Sequence, residues 1–341
     1  MIQNGKLFGK IRFSYIIIGA LAVLLLYLAL RNLDWNETLA IFRTADIRVL
    51  GGAWIIIVMS YFLRGLRWQV LLSAEKPIHP LTVFWATCAG YLGNSFLPAR
   101  AGEVIRSVLL SRKTGIPMFY VLATALTERI FDAVLLVCSI LLGLTTFPNI
   151  PDWLRSATTS MLILGIIGGF SLTLLPYLSG WITTQMTRSP IPEKIKGKLI
   201  EFVKQFLLGM KAFQNPSRAG FFIMLSLATW SLDVIATLIV TGGYGIALSP
   251  LQGLFLLASL GLASAAPSTP GYVGIYQSVS VAIFALFGLS DEKAIAYILT
   301  TQGLTYTVVI LWGFIGLWRL NKLGDMESNS VTEQPVLSAT A

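Results

Sequence analysis

Six apolar runs, at residues 13–30, 49–63, 134–147, 161–178, 221–240 and 305–317, decide what this chain can fold into. Most reach, or extend to, the roughly 20 residues that a membrane-crossing helix requires. None alternates as a β-barrel strand must, so the expected fold class is an all-α membrane protein. Composition bears on the same point. Only 12% of the 341 residues are charged, against about 25% in soluble domains, and the mean hydropathy is +0.74.

The charge pattern orients the runs. Lys6, Lys10 and Arg12 precede the first of them, and no small-residue cleavage site follows it, so it reads as a retained span and not a signal peptide. Residues 183–218 carry Arg188, Lys194, Lys196, Lys198, Lys204, Lys211 and Arg218 against Glu193 and Glu201, which places this segment and both termini in the cytoplasm. Within it Ile195, Leu199, Phe202, Phe206, Met210 and Phe213 recur at helical spacing. Such an amphipathic helix suits either the anionic inner-leaflet surface or the protein's own underside. The basic residues are accounted for by topology, and no nucleic-acid partner is expected. Residues 324–341 are polar and expected to be disordered.

Orientation constrains the middle of the chain. If residues 80–97 crossed fully, Arg100, Arg106, Arg112, Lys113 and the basic 183–218 segment would all fall outside. A re-entrant hairpin over about 80–113, entering from the cytoplasm, removes both conflicts. The same reasoning makes 250–290 a hairpin entering from the opposite side. The expected architecture is about six full transmembrane helices plus two opposed re-entrant hairpins within residues 1–323. Both hairpins turn at a Pro-x-x-x-Gly, at 98–102 and 267–271, which suggests an inverted repeat. Broken helices at matching points of opposed halves mark transporter-type sites near the midplane, where unwound backbone must be buried in protein or line water.

Ionisable residues cluster at the first hairpin. Glu128 and Asp132 are four apart on one helix face, with Arg129 three before Asp132. Each charge at a helix centre costs about 2.5–3.5 kcal/mol, so these residues either pair across a polar cavity or meet headgroups at the interface. Arg100, Glu103 and Arg106, on and beside the helix that opens at Gly102, are the natural partners. That helix start also aims free N–H groups at the hairpin tip, an arrangement suited to phosphate or carboxylate. Arg67 is expected to snorkel to the surface, and Arg64, one turn deeper, either to snorkel or to join the site. Asp233, alone within its run, must protonate or find an arginine from another helix. Cys88, Cys138 and the single His79 match no metal or redox spacing, and neither a P-loop nor a nucleophile constellation occurs, so neither metal nor cofactor is expected.

The stretch GYLGNSFLPARAGEVIRSVLLSRKTG, followed at a short interval by ERIFD, resembles the membrane region of lysylphosphatidylglycerol synthases, a family of flippase-like integral membrane proteins. Asn94, Pro98, Arg100, Gly102, Glu103, Arg106, Glu128, Arg129 and Asp132 fall on its pattern, and PSTPGYVGIYQ resembles its second motif. Tyr272 stands where a second glycine is usual, and Gln277 where a glutamate is usual. Some twenty residues follow the last span, so the synthases' aminoacyl-transferase domain is not expected here.

The resemblance implies movement of a phospholipid or lipid-linked headgroup between leaflets of the cell membrane, with membrane lipids as partners. The candidate binding set is Arg64, Asn94, Arg100, Glu103, Arg106, Glu128, Arg129, Asp132, Asp233, Pro267, Pro270, Gly271 and Gln277. Two other readings use the same residues. One is a membrane-embedded transferase acting on a lipid-linked sugar or aminoacyl lipid; the other is a carrier of small ions or solutes.

Overall fold

The computed structural model describes residues 24, 27, 30, 31 and 34–332, apart from 98–100, 148–149, 176, 190–191, 212–213 and 266–269. The described residues are overwhelmingly helical. The span expected at 13–30 lies almost wholly outside them. So do the tip residues Pro98 and Arg100 of the first hairpin and Pro267 of the second.

A short helix α1 (Trp35–Arg43), capped by Asp34, lies between the first two apolar runs. Helix α2 (Ile47–Leu72) begins at Asp46, whose carboxylate accepts from the amide of Arg48. Helices α3 (Pro80–Phe96) and α4 (Gly102–Thr114) are the arms of the first expected hairpin. Pro80 occupies the first turn of α3, where its missing N–H costs nothing, and α4 ends on Gly115 in the left-handed conformation. Long helix α5 (Met118–Leu144) follows, then α6 (Asp152–Leu174), α7 (Ser179–Arg188) and α8 (Glu193–Lys211). The second half comprises α9 (Pro216–Gly242), the hairpin arms α10 (Pro250–Ala265) and α11 (Ile275–Leu286), and α12 (Asp291–Thr332). Residues 324–332, read from sequence as the start of a disordered tail, continue α12.

Among the described residues, four helices are long and apolar enough to cross a membrane: Ile47–Leu72, Asp152–Ser171, Pro216–Gly242 and Asp291–Asn321. Helix α5 is of similar length, but Glu128, Arg129 and Asp132 interrupt its apolar character.

The contacts between helices repeat. Helix α2 packs on α9, the counterpart that precedes the other hairpin. Each of these two helices packs on the hairpin arm that follows it, α3 or α10, and each pair of arms packs together. The second arms α4 and α11 pack on the long helices α5 and α12, whereas the first arms cross over: α3 lies on α12 and α10 on α5. The units α2–α5 and α9–α12 therefore form an internal two-fold repeat, with α6–α8 as the intervening segment.

Helices in lipid gain little from apolar contact alone, and close approach through small residues replaces it. A Cβ on Gly102 would sit 1.8 Å from the carbonyl oxygen of Gly90, and one on Gly90 2.9 Å from Cβ of Arg106. The first hairpin closes only because these positions are glycine. The crossover of α3 and α12 uses Gly313 and Gly316, where a Cβ would meet Leu92 Cβ at 2.7 Å and the Trp85 carbonyl at 2.6 Å. On α8 the apolar face is turned partly inward. Leu207 and Met210 are buried, and Phe119 of α5 meets Phe202 edge-on at 5.0 Å. This half of α8 follows the second of the two sequence readings, packing on the protein's own underside.

Candidate functional site

Arg67 is the deepest charge among the described residues, with 0% of its side chain exposed. The expectation that it snorkels is wrong. Its Nε and Nη2 donate to Oε1 of Glu128 at 2.9 and 2.7 Å, and its Nη1 and Nη2 donate to the two oxygens of Asp132 at 2.6 and 3.0 Å. Two carboxylates four residues apart on α5 present a face that a guanidinium fork fits, so α2 is tied to α5 by a bidentate pair with Asp132 and by two donors converging on one oxygen of Glu128. The other oxygen of Glu128 accepts from Arg106 Nη2 of α4 at 2.9 Å. That guanidinium lies over the Trp68 ring at 4.2 Å and touches Glu103 Oε2 at 2.5 Å. Trp68 is fixed in turn by donating to Thr124 Oγ1 at 3.0 Å. Arg67, Glu128 and Arg106 thus form an inner layer, sealed among α2, α4 and α5.

Arg64, Glu103, Arg129, Asp132 and Asp233 form an outer layer facing a cavity of about 470 Å³. Of the two outcomes open to Asp233 of α9, protonation or an arginine from another helix, the structure shows the second: Arg64 of α2 donates to it, as does Ser60 Oγ at 2.5 Å. Tyr91 Oη accepts from both Arg64, at 3.4 Å, and Arg129, at 3.3 Å. Arg129 is held differently from Arg67. Its nearest carboxylate contacts are 3.4 Å to Glu103, 3.5 Å to Asp132 and 3.7 Å to Glu128, with 23% of its side chain exposed. It has several partners and no close one. The two layers balance in charge, with Arg64, Arg67, Arg106 and Arg129 set against Glu103, Glu128, Asp132 and Asp233. Balance is what burial demands, because an unpaired charge at this depth costs several kcal/mol.

The two hairpins meet at the cavity. Asn94 Oδ1 accepts the backbone N–H of Gly102 at 2.9 Å, locking the first hairpin's arms together. Gly271 belongs to the 3-10 turn Pro270–Tyr272 and lies close to the end of α3, a Cβ on it standing 3.7 Å from the Ser95 carbonyl. The carbonyl of Gly271 accepts from Tyr306 Oη and, at 3.2 Å, from Gln302 Nε2. Gln277 caps the start of α11 by accepting the Gly274 amide at 2.8 Å, and its own amide donates to Gln302 Oε1 at 2.6 Å. Tyr272 holds φ at +59°, a conformation that strains a non-glycine residue by roughly 1 kcal/mol or more.

The sequence set is therefore largely assembled. Glu103, Arg106, Glu128, Arg129 and Asp132 share one network, and Arg64 and Asp233 pair beside it. Asn94, Gly271 and Gln277 hold the hairpin tips, and Pro270 contributes to the turn through its backbone. Arg100 and Pro267 lie outside the described residues. Arg67 is the residue the sequence reading left out, although two carboxylates on one face with a single adjacent arginine already called for another cation.

A polytopic helical protein with an internal repeat, two interrupted hairpins and a charge-balanced cavity between them is the class these features define. The chain belongs to the lysylphosphatidylglycerol synthase transmembrane region family, whose model matches residues 15–313. It is 26% identical to the Glycosyltransferase AglD of Haloferax volcanii over 89% of this chain, but spans only 54% of that protein's length. It is 25% identical to a UPF0104 membrane protein of Methanothermobacter thermautotrophicus, covering 87% of this chain and 90% of the relative. A UPF0104 membrane protein of Pyrococcus horikoshii is 24% identical over 92% of this chain and 98% of its own. No solved structure matches the chain.

The two layers predict different mutational outcomes. Arg67→Ala leaves Glu128 and Asp132 buried without their main partner and should destabilise the fold by about 3–5 kcal/mol. Thermal unfolding in detergent should show this as a large drop in midpoint or loss of monodisperse protein. Arg129→Ala should cost about 1 kcal/mol or less, since its contacts are long and part-exposed. Equal effects of the two substitutions would contradict the layering.

Proposed function

We propose that this protein moves a lipid headgroup carrying a phosphate between the leaflets of the cell membrane, the acyl or prenyl tails remaining in the bilayer. The observation that carries the reading is the outer layer: a cavity of headgroup size whose cation, Arg129, has several distant partners and no close one. A phosphate can take Arg129 from Glu103 or Asp132 in an exchange of ion-pair partners, which avoids the larger cost of stripping water from an unpaired charge. A cationic group on the same headgroup would meet the carboxylate released. Arg100, at the first hairpin's turn, is assigned to the same phosphate path on the sequence pattern. The placement of the cavity between two hairpin tips supports access from either side.

The orientation that goes with this reading puts residues 183–218 and both termini in the cytoplasm, on the strength of the basic residues there. The exposed apolar side chains of Tyr177, Trp181 and Ile195, together with the exposed Lys198 and Lys204, fit contact with the anionic inner leaflet. In a variant with Cys88 and Cys138 replaced by alanine, Lys198→Cys and Ser249→Cys should be labelled by an impermeant thiol reagent from opposite sides. Labelling of both from one side overturns the topology.

Reconstitution into liposomes containing headgroup-labelled phospholipids tests the activity. Label should pass between leaflets chemically unchanged, and Arg129→Ala should slow it about tenfold or more, equivalent to losing about 1.4 kcal/mol of contact. Conversion of the lipid to a new species would favour a transferase, the class to which the name of the Haloferax volcanii relative belongs. Uptake of a soluble ion with no lipid movement would favour a solute carrier.

A further inference from the structure

The two halves of the repeat share an architecture and differ in chemistry. Where α4 meets α5, Arg106 donates to Glu128; where α11 meets α12, Gln277 donates to Gln302. The equivalent contact is ionic in one half and neutral in the other. Along the turn 270–272, α11 and α12, the described residues lining the cavity include no carboxylate and no cation. They include instead Tyr272, Tyr276, Gln302, Thr305 and Tyr306.

We propose that this neutral side is a subsite for an uncharged, hydroxylated six-membered ring joined to the lipid through its phosphate, the ring lying on the outer face of the stacked pair of Tyr272 and Tyr276. The inference deepens the reading of the cavity as a headgroup site and rests on it. The rings of Tyr272 and Tyr276 are nearly parallel, 11° apart with centroids 4.9 Å from each other, and both line the cavity. The backbone that aims Tyr272 is fixed, because Gly271 is held by both Tyr306 and Gln302. Tyr272 is also the one described residue other than glycine with a positive φ, so the tyrosine is kept at a position where glycine would be unstrained.

The outer ring face of such a stacked pair matches the C–H face of a sugar or cyclitol. Carboxamides and hydroxyls, each able both to donate and to accept, match its hydroxyl groups. A cationic aminoacyl headgroup would call for a carboxylate on this wall, and choline for rings meeting it from several directions. The phosphate then reaches the charged wall, which the hairpin tips bring against the neutral one near Ser95 and Gly271.

Competition binding to the purified full chain, with five lipid probes, tests the subsite. The probes are phosphatidylinositol, a hexosyl-phosphoryl-polyprenol, phosphatidylglycerol, phosphatidylcholine and lysylphosphatidylglycerol. The two ring-bearing lipids should bind about fivefold to tenfold tighter than phosphatidylglycerol. Whichever of the two binds more tightly identifies the source of the ring. Tyr272→Gly, which suits the backbone at that position, and Tyr276→Leu should each bring the ratio of ring-lipid to phosphatidylglycerol affinity close to unity. Arg129→Ala should weaken all five. The proposal is overturned if the wild type shows no ring preference, if the choline or lysyl lipid binds best, or if the preference survives both tyrosine substitutions. If ring lipids bind in a tyrosine-dependent way but no label crosses liposomes, translocation falls and the subsite stands. If label crosses without ring preference, the subsite falls and translocation stands. Binding of no lipid would overturn both.

Discussion

The pairing of Arg67 with both Glu128 and Asp132 is the interaction on which the rest of this structure depends. In lipid, apolar faces gain little from one another, so what brings helices together is close packing and the need to neutralise polar groups. One guanidinium from α2 satisfies two carboxylates of α5, and the second oxygen of Glu128 then receives Arg106 from α4. The second arm of the first hairpin is thereby anchored to the two long helices that flank it. The glycines at 90 and 102 let α3 follow α4 inward. Once that inner layer is closed, the remaining charges are pushed to one side, where they line the cavity.

The two-fold repeat turns this into a division of labour. In the second half, the same contact between hairpin arm and long helix is made by two glutamines. An amide chain from Gly274 through Gln277 and Gln302 to Gly271 holds that hairpin's tip without placing a charge there. The cavity between the halves therefore has a charged wall and a neutral aromatic wall. A glutamate at 277 would have no proton to give Gln302, so the chain would have to rearrange. The departure from the family pattern noted in the sequence is thus matched by the neighbour that receives it.

Much of this was legible in the sequence. The paired helical arms on either side of 98–102 and 267–271 could be read because proline and glycine interrupt the apolar runs there. Glu128 and Asp132 were legible as a pair because helical spacing is local, and the need of Asp233 for a distant cation followed from its isolation. What was not legible was partner choice across the fold. Arg67 was read as snorkelling because a charge near a helix end has that option whenever it is considered alone. Its partners lie 61 and 65 residues away. Arg129 lies three before Asp132 in the sequence, yet it holds that carboxylate at 3.5 Å. The repeat was visible only as two short Pro-x-x-x-Gly turns, whereas its real evidence is the crossover of α3 onto α12 and α10 onto α5.

The most direct test of the account is an experimental structure of the full chain in nanodiscs containing its phosphate-bearing lipid. The account predicts headgroup density inside the cavity, with its phosphate against Arg129 and the Arg67–Glu128–Arg106 layer unchanged behind it. A headgroup bound elsewhere while the cavity holds only water, or an inner layer that opens to admit the phosphate to Arg67, would contradict it.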